Sequence, residues 1–450
     1  MFIFKTTLKD TDMRAFGILF LCIFCLLFTH SCVQDKSKSN IESPNIVLII
    51  SDDQSWTDYG FLGHKHIETP NIDKLAQEGL TFTRGYTTAP LCRPALASIV
   101  TGLYPYQHRI LGNDPVFQST VEKNWGIEWL KVREVYNEPY ISRIEQNKSL
   151  PQLLKESGYV TLQTGKWWEG HYSRGGFTNG MTHGNPELGG RHGDEGLNIG
   201  REGLDEIYDF IESATTSETP FFVWYAPFMP HAPHTPPDSL QQKYLSRAPT
   251  PAVANYWAMC EWFDITCGQI MHFLDQKNLR ENTLVIYVTD NGWIQDPERP
   301  NRYAPRSKRA PYDMGIRTPI IFRWPETIPP EMDVTSLVSS IDIATTILAA
   351  CGINPTDKMQ GINVMNNEAV QEREAIFVEN YAHDFSTPDS SLLQKIVLSG
   401  NWKLILHDPL NDPDISPELY NLIDDPHEKN NRAGELPEIV RDLAQKLEDG

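Results

Sequence analysis

The chain has fewer basic than acidic residues, few cysteines and no internal repeat. Its 450 residues hold 39 lysines and arginines against 59 aspartates and glutamates, a net charge of −20 at pH 7. This balance argues against nucleic-acid binding, which depends on positive side chains that displace counterions from phosphates. An anionic substrate therefore has to be met by positive charge at one local site.

Cysteine is scarce, and its positions argue against a fold that depends on disulfides. Three of the seven cysteines lie within the first 32 residues. Cys260 and Cys267 are predicted to share a helix, where a rise of about 1.5 Å per residue separates them by roughly 10 Å, beyond the reach of a disulfide. Only Cys92 and Cys351 are left.

A single apolar run of more than ten residues stands out, near the N-terminus. Lys5, Lys9 and Arg14 precede the run 15–28, and Cys32 follows it closely. Because this run is too short for a comfortable membrane span, residues 1–32 are predicted to be a signal peptide whose Cys32 accepts a lipid. Ordinary signal cleavage nearby is the alternative.

The polar residues 33–44 are predicted to be a flexible tether. We therefore expect an exported bacterial protein, periplasmic or at the outer membrane, that meets the membrane only through a lipid anchor.

The remaining chain is too long for one core and divides into two regions. Apolar strands alternate with helical stretches over residues 45–355, which predicts an α/β domain with a large, mostly parallel sheet and helices on both faces. Residues 356–450 hold short strands and a final helix, which predicts a smaller α+β subdomain.

Two apolar runs each end in a pair of oxygen-bearing side chains. The first ends in Asp52 and Asp53, and the second, which begins at Thr283, ends in Asp290 and Asn291. Open α/β sheets bind ligands at the carboxyl ends of their strands. These four side chains therefore predict a site for a hard cation, Ca²⁺ or Mg²⁺. Each pair alone has a simpler interpretation as turn residues.

Cys92 stands two residues before a proline, at the start of an apolar run that can begin a helix. A helix N-terminus favours negative charge, so a nucleophilic side chain there suits the chemistry of anions. The alternative is a small, buried, inert cysteine.

With five further landmarks, these segments resemble the sulfatase family of the alkaline-phosphatase superfamily. The resemblance covers nearly the whole mature chain and implies an alkaline-phosphatase-like fold with a small antiparallel sheet near the C-terminus. The further landmarks, in the family's order, are Thr69-Pro70-Asn71-Ile72-Asp73-Lys74-Leu75-Ala76, Gly165-Lys166-Trp167, Pro230-His231-Ala232-Pro233, Lys308 with Gly315-Ile316-Arg317-Thr318-Pro319, and Glu418-Leu419-Tyr420-Asn421-Leu422 with Asp425-Pro426.

The resemblance implies that Cys92 is oxidised to formylglycine, by a formylglycine-generating or an anaerobic sulfatase-maturing enzyme. One hydroxyl of the hydrated aldehyde would attack sulfur to give a covalent sulfate ester, and the other would then expel sulfate. A plain serine has no second hydroxyl for that step.

The resemblance also implies Ca²⁺ on the four strand-end side chains, where it stabilises developing charge on oxygen. Lys166 and Lys308 match the family's sulfate-binding lysines, and His231 matches a histidine that can donate to the leaving oxygen. His234 belongs to a second His-x-Pro element and is an alternative to His231. The position of Pro237 favours His231.

Two positions depart from the family's pattern. Leu96 stands where the family usually has an arginine, and Trp168 stands where it usually has a histidine that serves as base for the diol. Arg93 and His171 are the nearest substitutes in the sequence. We therefore expect an altered site in which Arg93 and Trp168 contact substrate and His171 is the base.

The segment 167–201 is rich in glycine, histidine and aromatic residues. Such a composition is typical of a long loop that lines a pocket, but it equally fits a loop packed by its own side chains. If His171 is not the base, His183 and His192 are the next candidates.

The resulting prediction is a hydrolase that releases sulfate from a sulfated carbohydrate. One alternative is a phosphodiester or phosphonate hydrolase of the same superfamily. Another, suggested by Leu96 and Trp168, is a sulfoglycan-binding protein without catalysis.

Overall fold

A strand buried on both faces lies at the centre of the fold. Every residue of β1, Asn45–Ser51, is buried, and its side chains enter two apolar cores alternately. Leu48 and Ile50 belong to one core, and Val47 and Ile49 to the other. A strand covered on both faces has no polar side, which explains the continuous apolar run in the sequence.

The computed structural model describes residues 43–117, 121, 126–185, 187 and 192–449. The predicted signal peptide, its lipid-attachment cysteine and the tether up to residue 42 lie outside these residues. From Ser43 onward the chain is one compact unit.

The strands in the described residues are numbered in chain order. They are β1 Asn45–Ser51, β2 Leu80–Tyr86, β3 Asp114–Pro115, β4 Val160–Gly165, β5 Asn179–Gly180, β6 Phe221–Ala226, β7 Thr283–Thr289, β8 Arg317–Arg323, β9 Glu331–Asp333, β10 Val338–Ser339, β11 Ile376–Tyr381, β12 Asp384–Phe385, β13 Leu392–Ser399, β14 Trp402–His407 and β15 Glu418–Asn421.

Helices and shorter 3₁₀ turns lie between these strands and after the last one. The α-helices are Pro70–Glu78, Cys92–Thr101, Pro105–His108, Ile127–Gln146, Leu150–Glu156, Asp205–Thr216, Asp238–Leu245, Pro251–Gln276, Asp313–Ile316, Asp342–Ala350, Asn367–Glu372, Pro388–Ser391 and Pro437–Asp449, and the 3₁₀ turns are Gly60–Leu62, Tyr172–Gly175 and Asp194–Asn198.

The large sheet has the strand order β10-β2-β8-β7-β1-β6-β4-β5, with β9 beside β2. Its pairs are parallel except where β8 meets β2 and β7. The helices Cys92–Thr101 and Asp342–Ala350 cover one face, and Pro70–Glu78, Asp205–Thr216 and Pro251–Gln276 cover the other. The predicted fold class is therefore confirmed.

A second sheet, β11-β13-β14-β15, is antiparallel throughout. Leu443 of the last helix packs on one face, against Leu404 and Leu419. On the other face, Ile396 lies in one apolar cluster with Tyr86 of β2. The small sheet is thus held between the last helix and the large sheet, and the domain boundary at residue 355 stays a prediction.

Two further expectations concern cysteines and the membrane. The four described cysteines are all free, and Cys260 and Cys267 share the helix Pro251–Gln276 as predicted. Within the described ranges, no helix combines the length and the apolar character needed to cross a bilayer.

Candidate active site

The four predicted metal ligands meet at the carboxyl ends of two neighbouring strands. β1 and β7 are parallel, with Ser51 opposite Thr289, so the residues that follow each strand come together. The backbone N–H of Asp53 donates to Asp290 Oδ1 at 3.1 Å, and Asn291 Nδ2 donates to Asp53 Oδ1 at 2.6 Å. Parallel pairing therefore builds this acidic group from segments more than 230 residues apart.

Two buried lysines neutralise part of this negative charge. Lys166 Nζ lies 2.7 Å from Asp52 Oδ1 and 3.7 Å from Asp290 Oδ2. Lys308 Nζ lies 2.6 Å and 2.7 Å from the two carboxylate oxygens of Asp53. Both predicted sulfate-binding lysines thus lie among the carboxylates.

The charges shift one another's protonation equilibria. Burial raises the pKa of Asp52 well above its ordinary value, and the neighbouring Asp290 raises it further, against the effect of Lys166. Burial alone would lower the pKa of Lys166, but the Asp52 carboxylate outweighs it and the net shift is upward. The pKa of Lys308 is raised in the same way, chiefly by the Asp53 carboxylate, which outweighs the effect of burial. Both ammonium groups therefore stay charged at neutral pH.

The acidic group also has buried oxygens that are left without a partner. Asp52 Oδ2, Asp290 Oδ2 and Asn291 Oδ1 accept no hydrogen bond from any described residue. A buried oxygen without a donor is costly, and oxygens of this kind are the ligands that Ca²⁺ prefers. The donor set therefore fits Ca²⁺.

Cys92 begins the helix Cys92–Thr101 next to these charges. Lys308 Nζ donates to its sulfur at 3.2 Å, and a ligand atom from each of Asp52, Asp53, Cys92 and His231 lies within 4.8 Å of the others. Burial raises the pKa of Cys92 to about 12, so the unmodified thiol stays protonated at neutral pH and is a poor nucleophile.

Of the two candidate histidines, His231 is the one that faces the acidic group. Asp52 forms a β-bridge with Pro230, which places His231 Nε2 3.4 Å from Asp53 Oδ2. Nδ1 donates to the carbonyl of Ala232, so Nε2 is the nitrogen left for the site. Burial, with Lys166 and Lys308, lowers the pKa of His231 well below its ordinary value.

Arg93 turns away from Cys92 and forms a buried ion pair. Its Nε and Nη2 each lie 2.7 Å from one oxygen of Glu169, and its backbone N–H donates to Asn113 Oδ1 at 3.1 Å. The guanidinium is fully buried. Arg93 therefore ties the segment that carries Cys92 to the segment that carries Lys166, and its predicted contact with substrate stays a prediction.

The two residues that depart from the family pattern lie in apolar surroundings. Leu96 and Trp168 are both buried in the same apolar core as Cys92. Lys166 Nζ lies 6.0 Å from the centre of the Trp168 ring. Trp168 thus borders Lys166, a predicted sulfate-binding lysine, and its own predicted contact with substrate stays a prediction.

The three loop histidines occupy different places. His171 Nδ1 lies 2.8 Å from Ser173 Oγ, and its ring lies 5.6 Å from that of His183. The His192 ring instead lies 4.9 Å from Trp168 and 5.1 Å from Phe228. Of the three, His192 is therefore the one in contact with Trp168 and Phe228, the aromatic residues beside Lys166. The assignment of His171 as base stays a prediction.

Sequence reasoning did not find Glu169 or Tyr256. Tyr256 Oη lies 2.7 Å from Asp58 Oδ2 and 3.2 Å from the Asp53 carbonyl, within hydrogen-bond distance of both, so it supports the predicted metal ligands from the helix Pro251–Gln276. Both residues act on partners far away in the chain, and no local signal marks them.

Comparisons with known proteins agree with this geometry. A family model described as Sulfatase matches residues 44–353, and one described as N-sulphoglucosamine sulphohydrolase, C-terminal, matches residues 303–450.

Two characterised relatives are N-acetylgalactosamine sulfatases. The chain is 29% identical to N-acetylgalactosamine-6-sulfatase of Canis lupus familiaris over 352 residues, 70% of this chain and 63% of that protein. It is 25% identical to N-acetylgalactosamine-6-O-sulfatase of Bacteroides thetaiotaomicron, over 92% of this chain and 94% of that one. The chain thus spans less than two thirds of the canine relative.

Among solved structures, the chain resembles Ps i-CgsB in complex with k-i-k-neocarrahexaose. The TM-score is 0.71 at 23% sequence identity, covering 91% of this chain and 92% of that one. This likeness shows a shared fold.

Proposed function

The chain belongs to the sulfatase family, and from this premise we propose that it hydrolyses sulfate esters of a carbohydrate, with formylglycine derived from Cys92 as nucleophile. The observation that carries the proposal is the position of Cys92 Sγ, 3.2 Å from Lys308 Nζ and grouped with Asp52, Asp53 and His231. The proposed nucleophile would therefore lie next to a lysine ammonium group and to the proposed Ca²⁺ site.

Two groups absent from the unmodified chain complete the proposal. Asp52, Asp53, Asp290 and Asn291 would hold Ca²⁺, which supplies positive charge for the oxygens of sulfate. Formylglycine supplies the hydroxyl nucleophile that the protonated thiol of Cys92 does not.

The chain's own residues would bind and orient the sulfate. Lys166 and Lys308 are held in the charged form by carboxylates, so each offers an ammonium group to a sulfate oxygen. His231 Nε2 is free of the backbone contact that engages Nδ1, so it is the ring atom that would face the sulfate. The negative charge of a bound sulfate would favour protonation of Nε2, and the protonated ring would then give this proton to the leaving oxygen.

The substrate class rests on the relatives. Both N-acetylgalactosamine sulfatases are named for sulfated sugars, and the Ps i-CgsB structure holds an oligosaccharide. A sulfated carbohydrate is therefore the substrate class we propose, with export to the periplasm or cell surface and maturation by a formylglycine-forming enzyme.

Leu96 and Trp168 favour a second candidate, a protein that binds sulfated glycans without cleaving them. Both positions are apolar and buried, where the sequence comparison leads us to expect an arginine and a histidine. The loss of an arginine and a base from the site would lower the rate of sulfate transfer more than the affinity for sulfate.

One set of measurements tests the proposal. The protein is made in a host that matures sulfatases, and the mass of the peptide around Cys92 shows whether its CH2–SH group has become an aldehyde, with one sulfur and two hydrogens lost and one oxygen gained. Sulfate release is then measured from sulfated saccharides and an aryl sulfate, with an aryl phosphodiester in parallel and Cys92→Ala as control.

Conversion of Cys92 with sulfate release that Cys92→Ala abolishes would support the proposal. Faster turnover of the phosphodiester would point to the phosphodiester or phosphonate hydrolase instead. Saccharide binding without any release would favour the non-catalytic protein.

A further inference from the structure

Buried polar atoms without partners mark the cation site, and a second group of such atoms lies beside it. Both ring nitrogens of His234, Trp293 Nε1 and Gln295 Oε1 have no hydrogen-bond partner in the described part of the chain. The three side chains are only 7%, 4% and 5% exposed, respectively. Leaving such buried atoms unpaired is costly, so a bound group that pairs them would be favoured.

Of these three side chains, Trp293 lies beside Lys308, the proposed sulfate-binding lysine, while His234 neighbours Trp293 and Gln295 follows it by two residues. The His234 ring lies 5.8 Å from the Trp293 ring and 5.3 Å from Tyr256, whose Oη lies within hydrogen-bond distance of the Asp53 carbonyl. Lys308 Nζ lies 5.6 Å from the centre of the Trp293 ring. We call the group formed by His234, Trp293 and Gln295 the polar recess.

Two loops carry the polar recess, and a hydrogen bond joins them. The backbone N–H of His234 donates to Asn301 Oδ1 at 2.8 Å, and Gln295 forms a β-bridge with Tyr303. Gln295 Nε2 is already used by the carbonyls of Asp296 and Arg299, which leaves Oε1 as its free atom. The unpaired atoms are therefore held in place.

The atoms of the polar recess select the chemistry of its ligand. Burial lowers the pKa of His234 to about 4, so at neutral pH its ring offers one donor and one acceptor. Trp293 adds a donor and Gln295 adds an acceptor. A second sulfate only accepts hydrogen bonds and would leave both acceptors unpaired, whereas hydroxyl groups donate and accept.

We propose that the polar recess binds hydroxyl or amide groups of the sugar that carries the sulfate, with His234, Trp293 and Gln295 as specificity-determining residues. This inference rests on the proposed function and adds a sugar subsite to it. A substrate without a sugar, such as an aryl sulfate, would occupy the sulfate site and make fewer contacts in the recess.

The test compares a saccharide with an aryl sulfate. Trp293→Phe removes the Nε1 donor and keeps an aromatic ring, and His234→Ala removes a donor and an acceptor. Trp402→Phe makes the same chemical change in the C-terminal sheet and is the matched control. For each variant, kcat/KM is measured with N-acetylgalactosamine 6-sulfate or k-i-k-neocarrahexaose, whichever reacts faster, and with nitrophenyl sulfate.

We expect the ratio of saccharide to aryl-sulfate kcat/KM to fall about tenfold in Trp293→Phe, the effect of one neutral hydrogen bond, and further in His234→Ala. Trp402→Phe should leave the ratio within twofold. An equal loss on both substrates, or no change in the ratio, would overturn the inference.

Binding of the same ligands to the Cys92→Ala protein, measured by calorimetry, tests saccharide recognition by the polar recess independently of catalysis. If the parent protein releases no sulfate, the proposed function fails, yet weaker saccharide binding after Trp293→Phe in the Cys92→Ala protein would still support the recess. A Cys92→Ala protein that binds neither saccharide would overturn it.

Discussion

Two groups of charges flank Cys92, and they are paired in opposite ways. On one side, Asp52, Asp290 and Asn291 keep oxygens that no described residue satisfies. On the other side, Arg93 and Glu169 satisfy each other with two hydrogen bonds of 2.7 Å. The first group keeps unpaired oxygens of the kind that a cation would take, whereas the second pairs its charges internally and connects two segments of the chain.

The difference in pairing suggests a different role for each group, binding of ligands for the first and positioning of the chain for the second. Asp52, Asp290 and Asn291, which match the family's pattern, carry the unpaired atoms. Arg93 and Glu169, which lie near the two departures from that pattern in the sequence, form a closed ion pair. We infer that Arg93 and Glu169 hold Cys92 and Lys166 in register with each other, where the family's usual arginine and histidine are absent.

The largest expected effect is that of cation removal. Exhaustive chelation should reduce sulfate release to background and lower the melting temperature by roughly 5 °C, because the buried carboxylates lose the charge that offsets their repulsion. Activity and calorimetry before and after Ca²⁺ is returned measure both effects. An unchanged activity together with no bound metal by elemental analysis would refute the cation site.

The next effect concerns the closed ion pair. Glu169→Gln leaves the fully buried Arg93 without its counter-charge, which should cost about 3 to 5 kcal/mol of unfolding free energy in urea titrations. The matched control is Glu138→Gln, which breaks the more exposed pair with Arg174 and should cost less than about 1 kcal/mol.

An apolar double variant, Arg93→Met with Glu169→Leu, removes both charges together and should recover most of that stability. If its activity stays low while its stability returns, the pair positions Cys92 and Lys166. If activity returns with stability, the pair is structural only.

A smaller effect distinguishes the loop histidines. His192→Ala should lower kcat about a hundredfold, within the range for loss of a general base, because its ring contacts Trp168 and Phe228 beside Lys166. His171→Ala should change kcat by less than about threefold. The reverse ranking, with a burst of alcohol product in His171→Ala, would support the sequence-based assignment of His171 instead.

The smallest effect is on stability and comes from the support beneath the cation site. Burial raises the pKa of Asp58 to about 7, although Tyr256 and the Ser55 backbone donate to it. Between about pH 4 and 7 the folded protein therefore holds a proton that the unfolded chain has released, so this residue makes the unfolding free energy fall as pH rises.

From pH 5 to 7 that fall should amount to about 2 kcal/mol. Asp58→Asn keeps the accepting oxygen and removes the titration, so urea titrations at pH 5, 6 and 7 should show a flatter profile. The exposed Asp205→Asn is the control. A profile that is equally steep in Asp58→Asn would contradict the assignment.

Much of the sheet was predictable, because strands buried on both faces are written as continuous apolar runs. β6, Phe221–Ala226, is such a run, and every one of its residues is buried. β2, Leu80–Tyr86, was not predicted, since threonines, an arginine and a glycine interrupt its apolar pattern. The helix Ile127–Gln146 was missed as well, and it carries an internal Pro139.

By itself, the sequence determined the family and pointed to the main residues of the candidate site, because the strand-end oxygens, Cys92 and the two lysines each belong to a short local motif. Only the tertiary structure decided which groups meet. Arg93 and Glu169 are 76 residues apart and His234 and Trp293 are 59 apart, and neither pair leaves a local pattern. Local motifs are set by neighbouring residues, whereas these contacts exist only after the sheet has brought distant loops to one edge.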